Sequence, residues 1–170
     1  MSDLGVTRDQ VHERILLVAA SVLLAVSASS RWIHDTKAAA NTGTDHEYSG
    51  WGLVTFLDTS GAEPGEYALS PYLAFLLPLV LAVVVGGILL PPAEIGGWVG
   101  QVLGWVAIGL SAALVLLAIS VGRNDEVDLG GGLVASAALS AGLAVLYFRT
   151  AQNPWPTADP RPSVGWRRKA

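Results

Sequence analysis

The 170-residue sequence contains no cysteine and few charged residues. Without cysteine the chain forms no disulfide and offers neither a thiolate metal ligand nor a thiol nucleophile. Charged residues make up 14% of the chain and apolar residues 52%, whereas a soluble domain has about 25% charged residues. This balance argues against a soluble monomer and indicates a small integral membrane protein of one domain.

Ionisable residues are also missing from the central parts of the long apolar stretches. Ion-coupled transporters and proton relays keep such residues at membrane depth, and intramembrane hydrolysis needs a general base or a metal ligand there. A haem held by His12 and His34 is excluded, because 22 residues of helix separate them by about 33 Å. We therefore expect a protein that is not an enzyme, with no catalytic residue and no cofactor.

Four charge-poor stretches predict four membrane-spanning helices, since a span needs about 20 apolar residues. The predicted spans are residues 11–33, 70–90, 97–121 and 129–148. The first reaches this length only if Arg14 and Arg31 snorkel to the interface and Trp32 anchors there. Pro78 lies inside the second span, where it removes a backbone hydrogen bond and predicts a kink.

The first span has a second interpretation as a signal peptide. Arg8 and Arg14 precede a short apolar run, and Val26-Ser27-Ala28 resembles a signal-peptidase site. Cleavage after this site leaves three spans, whereas an uncleaved helix leaves four.

The distribution of Lys and Arg predicts the orientation of the four-span chain. Seven of the ten cations fall on the side of the two termini and three fall on the opposite side. Because cytoplasmic segments carry the excess of Lys and Arg, we expect a multi-pass protein of the inner (plasma) membrane with both termini cytoplasmic. The net charge of -4 then belongs to the outer side, so no nucleic acid partner is expected.

The two outer loops predicted by this topology are residues 34–69 and 122–128. The first is too long for a simple connection, and its residues 48–57 are rich in β-forming side chains between turn residues. We expect either a short strand or an interfacial segment in which Trp51 and Phe56 touch lipid. The second loop is acidic and glycine-rich, and it is expected to be a solvated turn.

Potential metal ligands gather at one place in the first outer loop. These are His34, Asp35, Asp45, His46 and Glu47. Imidazole and carboxylate groups suit divalent ions, but the spacing of these residues matches no metal-binding template. A solvated acidic surface is therefore favoured over a metal site.

Two rows of small residues mark the third and fourth predicted spans. The first row is Gly96, Gly100 and Gly104, and the second is Gly132, Ser136 and Ser140. Lipid provides no hydrophobic drive for helix pairing, so small-residue rows indicate surfaces where another helix packs closely. The spacing leaves open whether the rows join two helices of one chain or two chains.

Residues 149–170 form a predicted cytoplasmic tail rich in Pro, Trp and Arg. Its prolines favour extended chain. Its basic end either lies on anionic lipid or only fixes the topology.

The layout resembles that of small four-helix membrane proteins common in actinobacteria and, more distantly, that of the claudins. The residues that carry this resemblance are Trp32 after the first helix and Gly50-Trp51-Gly52-Leu53 in the long loop. Claudin loops have Gly-Leu-Trp followed by two cysteines, and here Trp precedes Gly-Leu and both cysteines are missing. Over residues 11–148 the resemblance implies an all-α integral membrane fold, a four-helix antiparallel bundle with a partly β first outer loop, and a non-catalytic role.

The expected function is that of an accessory or structural subunit of a larger bacterial envelope complex, respiratory or transport-related. Its partners are then the lipid bilayer and a protein partner or a second copy of the chain. The alternative is an oligomeric protein that binds or transports a lipid or an apolar small molecule. In that case Pro78, Gly86 and Gly87 supply a bend and a groove, and Trp98 and Trp105 line it.

Overall fold

The computed structural model describes residues 8–35, 44–58, 64–70, 73–123 and 127–153. The helices in these ranges are α1 (Arg8–Ser29), α2 (Leu77–Leu89), α3 (Pro92–Ile95), α4 (Trp98–Val121) and α5 (Gly131–Gln152). The strands are β1 (Arg31–Asp35), β2 (Thr44–Ser49), β3 (Leu53–Asp58), β4 (Pro64–Leu69) and β5 (Val127–Leu129). The predicted tail lies outside the described residues from position 154 onward.

Four of the helices form a bundle around one apolar core. α5 packs against α4 and α1, and α2 packs against the same two helices. The core between them includes Leu17, Val80, Leu110, Leu114 and Leu143, all fully buried. Because α1 leads directly into β1 and β5 leads directly into α5, the sheet lies at one end of the bundle. We call this the sheet end, and the opposite end, where α1 begins and α5 ends, the terminal end.

Within the described residues, three helices are long and apolar enough to cross a membrane. They are α1, α4 and α5, whereas α2 is an apolar helix of 13 residues. These helices indicate a helical membrane protein, since each of them carries mostly apolar side chains on its outer surface.

The second apolar stretch is helical over a shorter range than predicted. α2 begins at Leu77, and the turn before it includes a hydrogen bond from the Leu76 amide to the Leu73 carbonyl at 2.9 Å. Pro78 therefore stands in the first turn of α2, where a missing amide hydrogen costs no helical hydrogen bond. The predicted kink at Pro78 is wrong for this reason.

The first helix ends at Ser29 rather than at Ile33, and Trp32 is not an interface anchor. Trp32 lies on β1 with 0% of its surface exposed. Its indole nitrogen donates to the Ser27 carbonyl at 3.1 Å, and the Ser30 hydroxyl donates to the same carbonyl at 2.6 Å. Serine side chains that bond to nearby carbonyls compete with helix continuation, and the buried indole requires such a partner.

The five strands form one antiparallel sheet with the order β4-β3-β2-β1-β5. The predicted first outer loop, residues 34–69, thus contains three complete strands, β2 to β4, and the end of β1 rather than one short strand. The predicted solvated turn at residues 122–128 is wrong in its last part, because Val127 pairs with Asp35 as the start of the edge strand β5. A backbone hydrogen bond from Gly130 to Trp32, 2.8 Å long, continues this pairing into α5.

Gly50 allows the turn between β2 and β3 to lie directly on Trp32. Its amide donates to the Ala28 carbonyl at 2.8 Å, and a Cβ at this position would overlap the Trp32 ring. Two residues later, Gly52 has a φ of 73°, a conformation that L side chains rarely adopt. The Gly50-Trp51-Gly52 motif therefore joins the sheet to the end of α1.

We expect Gly50→Ala to destabilise the protein by about 1–2 kcal/mol, within the range of about 1–3 kcal/mol that overpacking costs. Gly131→Ala is the matched control, because a Cβ at Gly131 meets nothing within 4 Å. Thermal unfolding in a mild detergent, followed by circular dichroism, measures both variants. Equal melting temperatures for the two variants would contradict the contact between Gly50 and Trp32.

Candidate functional site

α2 packs closely on both of its neighbouring helices at Gly86 and Gly87. A Cβ on Gly87 would overlap the Ser21 hydroxyl of α1, and a Cβ on Gly86 would lie 2.8 Å from Leu103 of α4. Side chains from both neighbouring helices therefore already fill the space beside these glycines. Among the described residues, no groove for a lipid or an apolar solute opens beside these two glycines.

Tyr147 crosses the bundle at the same level. It belongs to α5, is 0% exposed, and donates its hydroxyl hydrogen to the Val83 carbonyl of α2 at 2.5 Å. The hydroxyl also lies close to the glycine pair, 3.0 Å from where a Cβ on Gly87 would be. A buried hydroxyl requires a partner, and here that partner fixes α5 relative to the helix diagonally opposite.

Arg14 of α1 contacts the end of α2. Its guanidinium donates to the Gly87 carbonyl at 2.8 Å and to the Ile88 carbonyl at 3.1 Å. The last carbonyls of a helix have no partner within the helix, and a cation near a helix C-terminus is also favoured electrostatically. Arg14 is thus the side-chain cap of α2.

A second cation links α1 and α5 at the terminal end. Arg149 Nε lies 3.4 Å from Glu13 Oε1, with 64% of the Arg149 side chain exposed. α5 continues to Gln152, so Arg149 stands in the last helical turn rather than at the start of the tail. An exposed pair of this kind contributes little to stability.

The first small-residue row lies against α5 within the same chain. A Cβ on Gly100 would overlap the Ile95 carbonyl and lie 3.0 Å from Ala151 Cβ. A Cβ on Gly104 would lie 2.9 Å from the Phe148 ring. Gly96 stands outside α4, at the end of the one-turn helix α3, so the row on the helix consists of Gly100 and Gly104.

The second small-residue row lies against α1, not against the first row. A Cβ on Gly132 would overlap the Ser30 hydroxyl, and Ser136 Oγ is 2.8 Å from Ser27 Oγ. Ser140 donates to the Ser136 carbonyl of its own helix at 2.7 Å. The two rows therefore serve two different helix pairs, α4–α5 and α1–α5.

Trp51 and Phe56 are the two aromatic loop residues for which lipid contact was predicted. Trp51 is half-buried, and its indole nitrogen donates to Ser29 Oγ at 2.8 Å. Phe56 lies on β3 opposite His46 of β2, and its side chain is outside the described part of the structure. Trp51 thus closes the end of α1 instead of entering lipid as a loop side chain.

The histidine and carboxylate residues lie on paired strands. His34 stands opposite Glu47 on one side and Asp128 on the other, and its Nε2 is 3.3 Å from Asp45 Oδ2. Arg31 forms an ion pair of 2.9 Å with Glu47. Among the residues that the structure describes, no three of these side chains come together as a metal site.

The tryptophans of the third span lie on the outer surface of the bundle. Trp98 is 74% exposed and Trp105 is 66% exposed. Trp105 also packs edge to face on Phe148 of α5, with ring centroids 5.6 Å apart. They therefore do not line an interior groove.

A shallow groove runs along the outer surface between α4 and α5. Its volume is about 320 Å³. The lining residues are Ile108, Ser111, Ala112, Ala141, Ala144, Val145 and Phe148. Ser111 donates across this seam to the Ala137 carbonyl at 3.0 Å. Elsewhere on the same two helices, a Cβ on Gly109 or Gly142 would meet nothing within 4 Å.

Two buried hydroxyl groups of the bundle, those of Tyr147 and Ser21, were not among the residues predicted from the sequence. Their signal was present, because a hydroxyl in an apolar span must find a partner. Arg14 was noticed only as a cation near a span end. Its role as the cap of α2 depends on how the helices are arranged, and the amino-acid composition does not determine that arrangement.

No family model matches this sequence, and no curated protein matches it.

Proposed function

We propose that the protein is a non-catalytic accessory or structural subunit that binds a transmembrane helix of a larger bacterial envelope complex. The observation that carries this proposal is the shallow groove between α4 and α5. Helices associate in lipid where small residues permit close approach, and the floor of this groove includes Ala112 and Ala141. The chain uses Gly100, Gly104 and Gly132 for its own packing, but leaves this groove uncovered within the described residues.

The proposal includes four spans, with α2 as the second. Together with the turns before it, α2 covers residues 73–89, about 25 Å at 1.5 Å per residue. This length approaches the hydrocarbon thickness of about 30 Å, and local thinning or flanking residues accommodate a short span. The packing of α2 between α1 and α4 supports the same conclusion.

We infer that the terminal end lies in the cytoplasm of a cell with an inner, or plasma, membrane. Arg8, Arg14 and Arg149 lie at the terminal end, whereas Asp45, Glu47 and Asp128 lie on the sheet. The excess of cations on cytoplasmic segments supports this choice.

Ala141→Leu tests the proposed groove, because a larger side chain fills it. We expect mild-detergent purification of the tagged full-length chain to isolate a stoichiometric membrane partner, and Ala141→Leu to reduce that partner at least fivefold. Ala135→Leu is the matched control, since Ala135 is an exposed alanine of α5 that does not line the groove. A lone monomer from the wild type, or an equal partner yield from both variants, would contradict the proposal. A second copy of this chain as the partner would show a homo-oligomer instead.

A further inference from the structure

A larger cavity, about 580 Å³ in volume, lies at the sheet end between the sheet and the bundle. β1 contributes Ile33 and Asp35 to its lining, the segment before α2 contributes Leu73, and the last turns of α4 contribute Leu117 and Val121. Small-molecule sites typically have volumes of about 300–1,000 Å³ and mostly apolar walls with few polar groups. This cavity has both properties, so its size fits an acyl chain or a similar group.

The position of the cavity gives a bilayer lipid access to it. Val121 is the last residue of α4 and Leu73 precedes α2, so the cavity lies where these helices leave the proposed membrane. Phe75, which also lines the cavity, is 63% exposed. Part of the cavity lining therefore reaches the outer surface of the bundle.

The charge at the cavity selects the headgroup. The Asp35 carboxylate lines the cavity and stands opposite His46 in the strand pairing. Asp35 already takes part in an interaction within the fold, and it contributes its negative charge to the cavity. A negative local field attracts cationic groups and opposes anionic ones.

We propose that this cavity binds one bilayer lipid with a primary ammonium headgroup, its amine near Asp35 and one acyl chain along Leu73, Leu117 and Val121. This site is separate from the groove between α4 and α5. It depends on the proposed membrane placement but not on a partner complex.

Native mass spectrometry of the full-length protein tests this site. The protein is extracted from vesicles of equimolar phosphatidylethanolamine and phosphatidylglycerol with the same acyl chains. We expect one retained phosphatidylethanolamine per chain, preferred about tenfold over phosphatidylglycerol, since a charge-assisted contact contributes about that factor. Asp35→Asn, which keeps the shape of the side chain, is expected to abolish the preference.

A pair of neighbouring residues separates the cavity from general lipid contact. Leu117→Trp fills the cavity and is expected to remove the retained lipid, whereas Leu116→Trp is the control because Leu116 is 68% exposed on the outer surface. Circular dichroism melting checks that each variant is folded. If Leu117→Trp does not fold, Asp35→Asn decides alone. Equal retention of both lipids by the wild type, or an unchanged preference in Asp35→Asn, would overturn the proposal. Loss of the membrane partner without loss of the lipid would bear only on the groove between α4 and α5.

Discussion

Replacing Gly100 by isoleucine is expected to destabilise the protein by about 3 kcal/mol, the upper part of the range for overpacked interiors. The new Cβ would overlap the Ile95 carbonyl and lie 3.1 Å from the Tyr147 carbonyl. Both neighbours are backbone atoms, which cannot move aside as a flexible side chain does. α4 and α5 must therefore separate, and the thermal unfolding transition in mild detergent should shift to markedly lower temperature.

Gly109→Ile is the matched control, because it is the same substitution in the same helix. A Cβ on Gly109 meets nothing within 4 Å. Both variants carry the same change in helix propensity, so the difference between their melting temperatures measures the effect of packing. Leu116→Ile adds a volume-conserving substitution on the exposed surface of α4. Unchanged melting of Gly100→Ile would show that α4 and α5 do not meet at this glycine. Loss of a dimer without a change in melting would make the contact intermolecular.

Much of the helical part of this fold follows from the sequence, but the contacts between its helices do not. Long charge-poor stretches identify α1, α4 and α5 because lipid requires about 20 apolar residues in succession. The spacing of Gly100 and Gly104 places both on one side of α4. Spacing alone does not determine which helix covers that side, and Gly132 and Ser136 in fact lie against α1.

The strand pairing in the sheet is even harder to predict from the sequence than the contacts between the helices. β5 has three residues, and its pairing with β1 joins residues almost a hundred positions apart. Strand preference depends on cross-strand neighbours rather than on local sequence. Trp32 was expected at the interface because an aromatic residue next to a span end usually lies there. In the fold it is covered by Gly50, which comes from a distant turn.

Arg14 is the residue whose removal tests the arrangement of α1 and α2 most directly. Arg14→Met keeps an unbranched apolar stem but removes both donors to the Gly87 and Ile88 carbonyls. Hydrogen bonds from charged groups contribute about 1.5–3 kcal/mol each, and these carbonyls lack other side-chain donors among the described contacts. We expect a loss of about 2–3 kcal/mol in the free energy of unfolding.

Arg14→Lys distinguishes charge from geometry at the same position. A lysine keeps the favourable cation near the C-terminus of α2 but cannot donate through a planar fork to two carbonyls. We therefore expect thermal unfolding of Arg14→Lys midway between the wild type and Arg14→Met. Arg8→Met is the control, since Arg8 is exposed at the start of α1, and its melting should match the wild type. Equal melting of Arg14→Met and Arg8→Met would mean that Arg14 does not cap α2, and the close packing of α1 on α2 would then depend on Ser21 and Gly87 alone.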